Sequence, residues 1–261
     1  MSGLQRIQSR DNPLVKRLRS LAQDNTAYRR FGQFWIEGDH LCRALLARGG
    51  RPSQAVFTEA AWDRAEAPLR QACERVVLVP EALMAVVSGL GSAPDMGFLV
   101  DLPGPGAGLA ADAPTVVLDR LQDAGNVGSI LRSAAAFGFR QVLALRGTAA
   151  LWSPKVLRAA MGAHFGLELR EALEPSDLRA LSVPLLVTSS HHGQWLHEAS
   201  LPWPCAWVLG HEGQGVGPQP QALASQSVRI AQPGGEESLN VAAAAAICLH
   251  ASAVSARLAP A

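Results

Sequence analysis

Short apolar runs separated by amphipathic stretches recur along the whole chain. In the first hundred residues, runs at 33–36, 54–57, 75–79 and 97–100 are apolar and rich in β-branched or aromatic side chains, which predicts strands. Residues 11–23, 38–48, 59–72 and 80–90 repeat apolar positions every three or four residues and predict helices. The stretch DLPGPGAGLAADAP, 101–114, has no period and the composition of a linker. Alternation then resumes. Strands are predicted at 115–118, 141–145, 184–188, 205–209 and 228–230, with helices beginning near Gly125, Ser153 and Leu239. The pattern divides the chain into a small α/β domain over 1–103, a linker over 104–114 and a second α/β domain over 115–261. In the second, strands bounded by helices predict a mostly parallel sheet covered on both faces. Ligands of such sheets bind in the loops beyond the carboxyl ends of the strands.

Composition narrows the picture. Of 261 residues, 48% are hydrophobic, a level suited to packed soluble domains. The longest apolar run, Val241–Leu249, is too short to span a bilayer, and residues 1–20 lack the apolar core of a secretory signal. A cytoplasmic location without a membrane partner is expected. Cys42, Cys73, Cys205 and Cys248 form no CxxC pair, and His191, His192 and His197 have no Cys or acid at ligand spacing. Reduced thiols and no metal site are expected. Net charge is only +1, but the first fifty residues carry nine Lys/Arg against four Asp/Glu. That excess suits a phosphate-facing surface, although a solvated helix face accounts for it equally well.

Three loops after predicted strands hold residues that turns alone do not require. In LDRLQDAGNVGSILRSAAAFG, 118–138, Asn126, Gly128 and Arg132 form N-x-G-x-x-x-R at a helix start. Asn126 suits a cap, Gly128 a close backbone approach, and Arg132 a reach toward a ligand there. Taken alone, an N-cap and a surface arginine account for this loop. In WVLGHEGQGVG, 207–217, four glycines leave backbone N–H groups accessible to a phosphate or nucleoside, and Glu212 is the only acid. The loop is neither GxGxxG nor HExxH, because Gly215 stands where the second histidine would be. In PGGEESLNVAAAAAICLH, 233–250, Ser238 suits a helix cap and helix propensity accounts for the alanines. Neither explains Asn240 or the glycines.

Together, NVGSILRSA, LGHEGQGVG and IAQPGGEESLNVAAAAA resemble, in order and spacing, the three signature motifs of SpoU-type (TrmH-like) RNA ribose 2′-O-methyltransferases of the SPOUT class. SPKVLRAAMGAHF, 153–165, resembles the segment that follows the first motif. SRDNPLVKRLRSL and FGQFWIEGDHLCRALL resemble the L30e-like substrate-binding domain of ribosomal-RNA members. The resemblance covers nearly the whole chain. It implies an α/β C-terminal domain tied in a deep trefoil knot, a homodimer, and S-adenosyl-L-methionine held at Thr188, Leu209, Gly210, Ile230 and Leu239. It implies Asn126, Arg132, Glu212, Ser238 and Asn240 as catalytic-site residues, and methyl transfer to a ribose 2′-hydroxyl. The first domain favours 23S ribosomal RNA over transfer RNA, with Lys16, Arg17, Arg29 and Arg30 as RNA contacts.

A guanidinium stays protonated at ordinary pH, so Arg132 is expected to hold a phosphate and stabilise negative charge rather than abstract a proton. Glu212 is the second candidate for accepting the proton, directly or through water, after the arginine that the resemblance implies. The chain departs from the family pattern at Ala231-Gln232, where a Pro-Met pair is usual, at Ala124, where proline often precedes the glycine, and at Asp95-Met96. A non-catalytic RNA-binding protein on the same fold is the alternative, opposed by the intact polar residues. The missing GxGxxG disfavours other nucleotide-binding enzymes.

Overall fold

A computed structural model of the chain describes residues 3–88, 91–104, 108–189, 192–235 and 238–258. The end of the expected helix at 89–90, residues 105–107 of the expected linker, His191, and the pair Glu236-Glu237 lie outside the described residues. In chain order the elements are β1 (Gly3–Arg6), α1 (Pro13–Gln23), α2 (Ala27–Phe31), β2 (Gln33–Glu37), α3 (Asp39–Ala47), β3 (Gln54–Thr58), α4 (Glu59–Arg64), α5 (Ala67–Arg70), β4 (Arg75–Val79), α6 (Glu81–Ser88) and β5 (Met96–Asp101). There follow β6 (Thr115–Asp119), α7 (Ala124–Ala136), β7 (Gln141–Leu145), α8 (Pro154–Ala160), β8 (Glu168–Leu173), β9 (Leu185–Thr188), β10 (Gln194–Trp195), β11 (Ala206–Gly210), α9 (Pro218–Leu223), β12 (Gln226–Arg229) and α10 (Val241–Leu258).

The chain divides into two units, Met1–Gly106 with Trp152–Phe165, and Ala107–Leu151 with Gly166–Ala261. The segment Trp152–Phe165 was expected in the second domain and belongs instead to the first unit. Its apolar side chains find partners there: Phe34 of β2 lies against Trp152 at 4.7 Å and Phe165 at 6.4 Å between ring centroids.

The first unit has a five-stranded sheet in the order β1-β4-β3-β5-β2. β1, β4 and β3 are parallel, and β5 runs antiparallel to β3 and β2. β1 carries too little apolar pattern to be expected and is held by its register with β4, Gly3↔Arg75 through Arg6↔Leu78. The single helix expected at 59–72 is two. Ala65 is extended after α4, and α5 restarts with Pro68 in its first turn, where the missing N–H costs nothing. α2 was also not expected.

The second unit has a seven-stranded, wholly parallel sheet in the order β10-β12-β9-β11-β6-β7-β8. β6, β7 and β11 are buried at every residue, which is why they are continuous apolar runs. Their side chains Val117, Leu143 and Val208 share a core with Val187 of β9. β8 and β10 were not expected. They occupy the sheet edges, and Glu168-Leu-Arg-Glu171 carries the charges that guard such an edge. Between β6 and β11 the strand order reverses direction, and Asp119 pairs with Gly210 at the last step of their register. This opens a crevice at the carboxyl edge of the sheet.

α10 packs on α7 and β11. Trp207 of β11, fully buried, donates from Nε1 to the buried Ser252 Oγ of α10 at 2.8 Å. All four cysteines are free. Burial pushes Cys205 up to about 11 and Cys248 up to about 12. No described helix is long and apolar enough to cross a membrane.

Ser252→Ala leaves the Trp207 N–H buried without an acceptor. We expect a loss of about 1–3 kcal/mol in urea unfolding. A loss within error of zero would show that the indole N–H finds another partner and does not fasten α10 to the sheet.

Candidate active site

The loop after β6 begins with a buried charge. The Asp119 side chain is 3% exposed, and Arg120 grips it through Nε to Oδ1 at 2.9 Å and Nη2 to Oδ2 at 3.2 Å. Arg120 has φ +59°, an uncommon conformation for a residue with a β-carbon. Its backbone N–H donates to Thr148 Oγ1. The same pair seizes the glycine loop after β11. Gly217 N–H donates to Asp119 Oδ2 at 2.6 Å, and Arg120 Nη1 donates to Gln214 Oε1 at 2.9 Å. Asp119 and Arg120 were not among the expected site residues. Adjacent opposite charges at a strand end carry no signal of burial.

The glycine loop is folded on itself. Gly215 N–H donates to His211 O at 2.8 Å, and Gly213 N–H to His211 Nδ1 at 3.0 Å. A β-carbon on Gly210 would collide with the backbone of Gly215 and Val216, so this position requires glycine.

Two caps differ from expectation. α7 is capped by Asp123, whose Oδ1 accepts from Asn126 N–H at 2.7 Å. Asn126 therefore lies inside the first turn, and its side chain is released from capping. α10 is capped by Asn240, not Ser238: Asn240 Oδ1 accepts from Ala242 N–H at 2.9 Å and Ala243 N–H at 3.2 Å. The helix starts two residues later than expected. The other end of that amide, Nδ2, donates to Asn126 Oδ1 at 3.0 Å. Asn126 Nδ2 donates in turn to Glu212 Oε1 at 3.3 Å. Glu212 also accepts from Asp123 N–H at 3.4 Å and Gln122 N–H at 3.5 Å. One relay thus joins the starts of α10 and α7 to the glycine loop.

Partial burial alone would raise the Glu212 pKa. Its own backbone N–H, the Asn126 amide and the N–H groups of Asp123 and Gln122 outweigh that and hold it below the ordinary carboxylate value.

Beside the relay is a pocket of about 330 Å³, within the roughly 300–1,000 Å³ typical of small-ligand sites. Of the expected residues, Thr188, Gly210, Glu212, Ile230, Ser238, Leu239 and Asn240 line it. Leu209 does not; it is buried in β11 just before. Asn126 stands behind Glu212 and Asn240 rather than in the lining. Arg132 is exposed on α7, outside the lining, and makes no hydrogen bond or ion pair to any described residue. Among the described residues no three His, Cys, Asp or Glu gather as metal ligands.

In the first unit, Lys16, Arg17 and Arg30 line one groove with Arg19 and Phe31. Arg19 was missed as a contact. Arg30 lies over the Phe31 ring at 4.5 Å and Arg17 at 5.7 Å. Arg29 is not in this groove and lies over Tyr28 at 5.3 Å.

The family model described as SpoU rRNA Methylase matches residues 113–250. A Synechocystis protein named as an uncharacterized tRNA/rRNA methyltransferase is 32% identical over 95% of this chain and 93% of its own. The 23S rRNA (guanosine(2553)-2′-O)-methyltransferase of Bacillus subtilis is 28% identical over 95% of this chain and 98% of its own. The AdoMet-bound rRNA methyltransferase structure from Sinorhizobium meliloti superposes with a TM-score of 0.83 over 98% of this chain and 99% of that one, at 23% identity, a likeness of fold.

The depressed Glu212 pKa has a sign. Its contribution to holding the loop is complete above the unfolded carboxylate value and falls away as pH drops through the lower, folded value. Hydrogen exchange at the 211–217 amides is expected to quicken, beyond its intrinsic pH dependence, between about pH 5 and pH 3. Glu212→Gln is expected to remove that extra acid response. Identical pH profiles for the two proteins would refute the linkage.

Proposed function

The chain belongs to the SpoU rRNA methylase family, and we propose that it transfers a methyl group from S-adenosyl-L-methionine to a ribose 2′-hydroxyl of RNA, with 23S ribosomal RNA as the favoured substrate. The observation that carries this reading is the pocket at the carboxyl edge of the parallel sheet, where loops after β9, β11 and β12 converge beside a closed amide relay. The pocket fits the cofactor: Gly210 brings a bare backbone to its wall, and Leu239, 39% exposed, offers it apolar surface. Thr188, Ile230 and Leu239 line the same wall, with Leu209 supplying the peptide group before Gly210. When bound, the cofactor supplies a methyl group already activated on a sulfonium, which departs as a neutral thioether.

The protein's task is then to hold and orient the hydroxyl. Positioning supplies a large share of the barrier reduction in such in-line transfers. The relay fixes Asn240, with Ser238 beside it in the lining. Arg132, a cation uncommitted to any described residue, holds the phosphate beside the target ribose and stabilises the 2′-oxygen as its proton passes to water. Glu212 was the second candidate for accepting the proton. A carboxylate with a depressed pKa and several N–H donors is a weak base, so we assign it to fastening the glycine loop instead.

The basic groove of Lys16, Arg17, Arg19 and Arg30 is assigned to RNA phosphates, with Arg29 at its side. The homodimer belongs to the same proposal, supported by Ile247 and Val254, which lie seven residues apart on α10 and are 41% and 39% exposed. The trefoil knot is proposed from the family resemblance, and a cytoplasmic location from the sequence pattern alone.

Methyl transfer to ribosomal RNA lacking the mark tests the reading. Incorporation at a ribose that survives base removal is expected, and no transfer to any ribosomal RNA by a folded dimer would refute it. Arg132→Lys keeps the charge but loses the planar fork, and is expected to lower kcat about 100-fold with cofactor affinity unchanged. Near-native turnover would remove the geometric role. RNA affinity is expected to fall steeply with salt, with a slope reduced by about one in Arg17→Ala. A flat salt response would exclude the groove.

A further inference from the structure

The edge of the second unit's sheet holds a cation that the site described above does not use. Arg229 is the last residue of β12, between Val228 and Ile230, which both line the pocket. β10 fastens it from the side: Trp195 is its register partner, and Leu196 N–H donates to Arg229 O at 2.9 Å. The Arg229 guanidinium carbon lies 3.6 Å from the centroid of the Trp195 ring, which restrains one of the side chains that loses most freedom on ordering. His197 stacks beside the same indole, 6.4 Å away and 26° from parallel. Yet no guanidinium nitrogen of Arg229 donates to any described residue. Glu198, three residues beyond Trp195, lies 3.6 Å from His197 Nε2 instead.

Arg229 is partly exposed, and of its three guanidinium nitrogens only Nε is buried without a partner. Both Nη groups reach the surface. An arginine kept only for solubility would extend its head into water. Here Nε has given up its hydration without gaining an acceptor, and a surface cation–π contact offsets little of that. What the arrangement secures is orientation. Four N–H groups on two nitrogens are held in one plane at the carboxyl edge of the sheet, a fork that matches two oxygens of one anion. Arg229 is not in the pocket lining, which points to an anion outside the pocket.

We infer that Arg229, oriented by Trp195, is an RNA-binding residue whose Nη groups hold a phosphodiester flanking the nucleotide that enters the pocket. The inference rests on the proposed RNA substrate and deepens it by placing a backbone contact on the methyltransferase unit itself.

Filter binding of the full-length protein to a 23S ribosomal RNA transcript over a range of salt, with calorimetric titration of S-adenosylhomocysteine alongside, tests it. Arg229→Gln is expected to weaken the transcript roughly five- to tenfold at about 0.1 M salt and to lower the salt slope by about one, the loss of one phosphate contact. Its affinity for S-adenosylhomocysteine is expected to be unchanged, which also shows that the variant is folded. Arg229→Lys keeps the charge and is expected to keep the slope. Trp195→Leu is expected to weaken the transcript with the slope retained, and Trp195→Phe to restore it, because a ring and not the indole N–H orients the guanidinium. Wild-type affinity and slope in Arg229→Gln overturn the inference and leave the RNA reading standing. Loss of S-adenosylhomocysteine binding in that variant also overturns it, because the guanidinium then serves the cofactor's carboxylate or the pocket wall. Failure of the wild type to bind the transcript overturns the RNA reading and the inference with it.

Discussion

The direction of both asparagine amides in the site is set by the start of α10. A helix begins with N–H groups that have no partner in their own helix, and at this end the Asn240 side-chain oxygen meets two of them. That leaves only its NH₂ group to point outward. Asn126 must then present its oxygen to Asn240 and its NH₂ to Glu212, and the carboxylate must accept. The orientation of three side chains on three loops follows from one helix terminus. Each bond contributes only about 0.5–1.5 kcal/mol, but a relay of this kind fails as a unit, because reversing one amide confronts like ends at both of its contacts.

The second constraint is the buried Asp119. A carboxylate out of water requires a partner, and among the described residues the guanidinium that grips both oxygens is on the next residue. Reaching it forces Arg120 to φ +59°, a conformation that persists because surrounding contacts determine it. The strained residue then has donors to spare, and they take Gln214 of the glycine loop while Asp119 takes the Gly217 N–H. Glu212 and Asp119 hold opposite ends of the same loop. A segment with four glycines would otherwise sample many conformations, and these two carboxylates select one.

What could be read from the sequence follows from burial. β6, β7 and β11 are buried on both faces and appear as plain apolar runs, so their positions were expected within a residue or two. β1, β8 and β10 lie at sheet edges, are largely polar, and owe their conformation to a neighbour's register. The broken helix at 65–66 was hidden because its apolar spacing continues across the break. In the site, motif order identified most of the pocket lining. It did not identify the caps, since Ser238 and Asn240 are both good cap residues and only the backbone decides which one is extended. Asp119 and Arg120 were invisible for a related reason: sequence shows charge, not the solvent that charge has lost.

The chemistry also follows from how the charges are used. Among the described residues, the one carboxylate in the pocket lining is hydrogen-bonded and held in its ionised form, so it has little capacity to take a proton. The asparagines are neutral, and Arg132 cannot be deprotonated. Apart from the His211 imidazole, the described lining offers little for acid–base catalysis. It is well suited to a reaction whose electrophile arrives activated and whose nucleophile needs mainly to be placed, because a rigid relay loses little by holding one geometry. Methyl transfer from a sulfonium to a hydroxyl is a reaction of that kind.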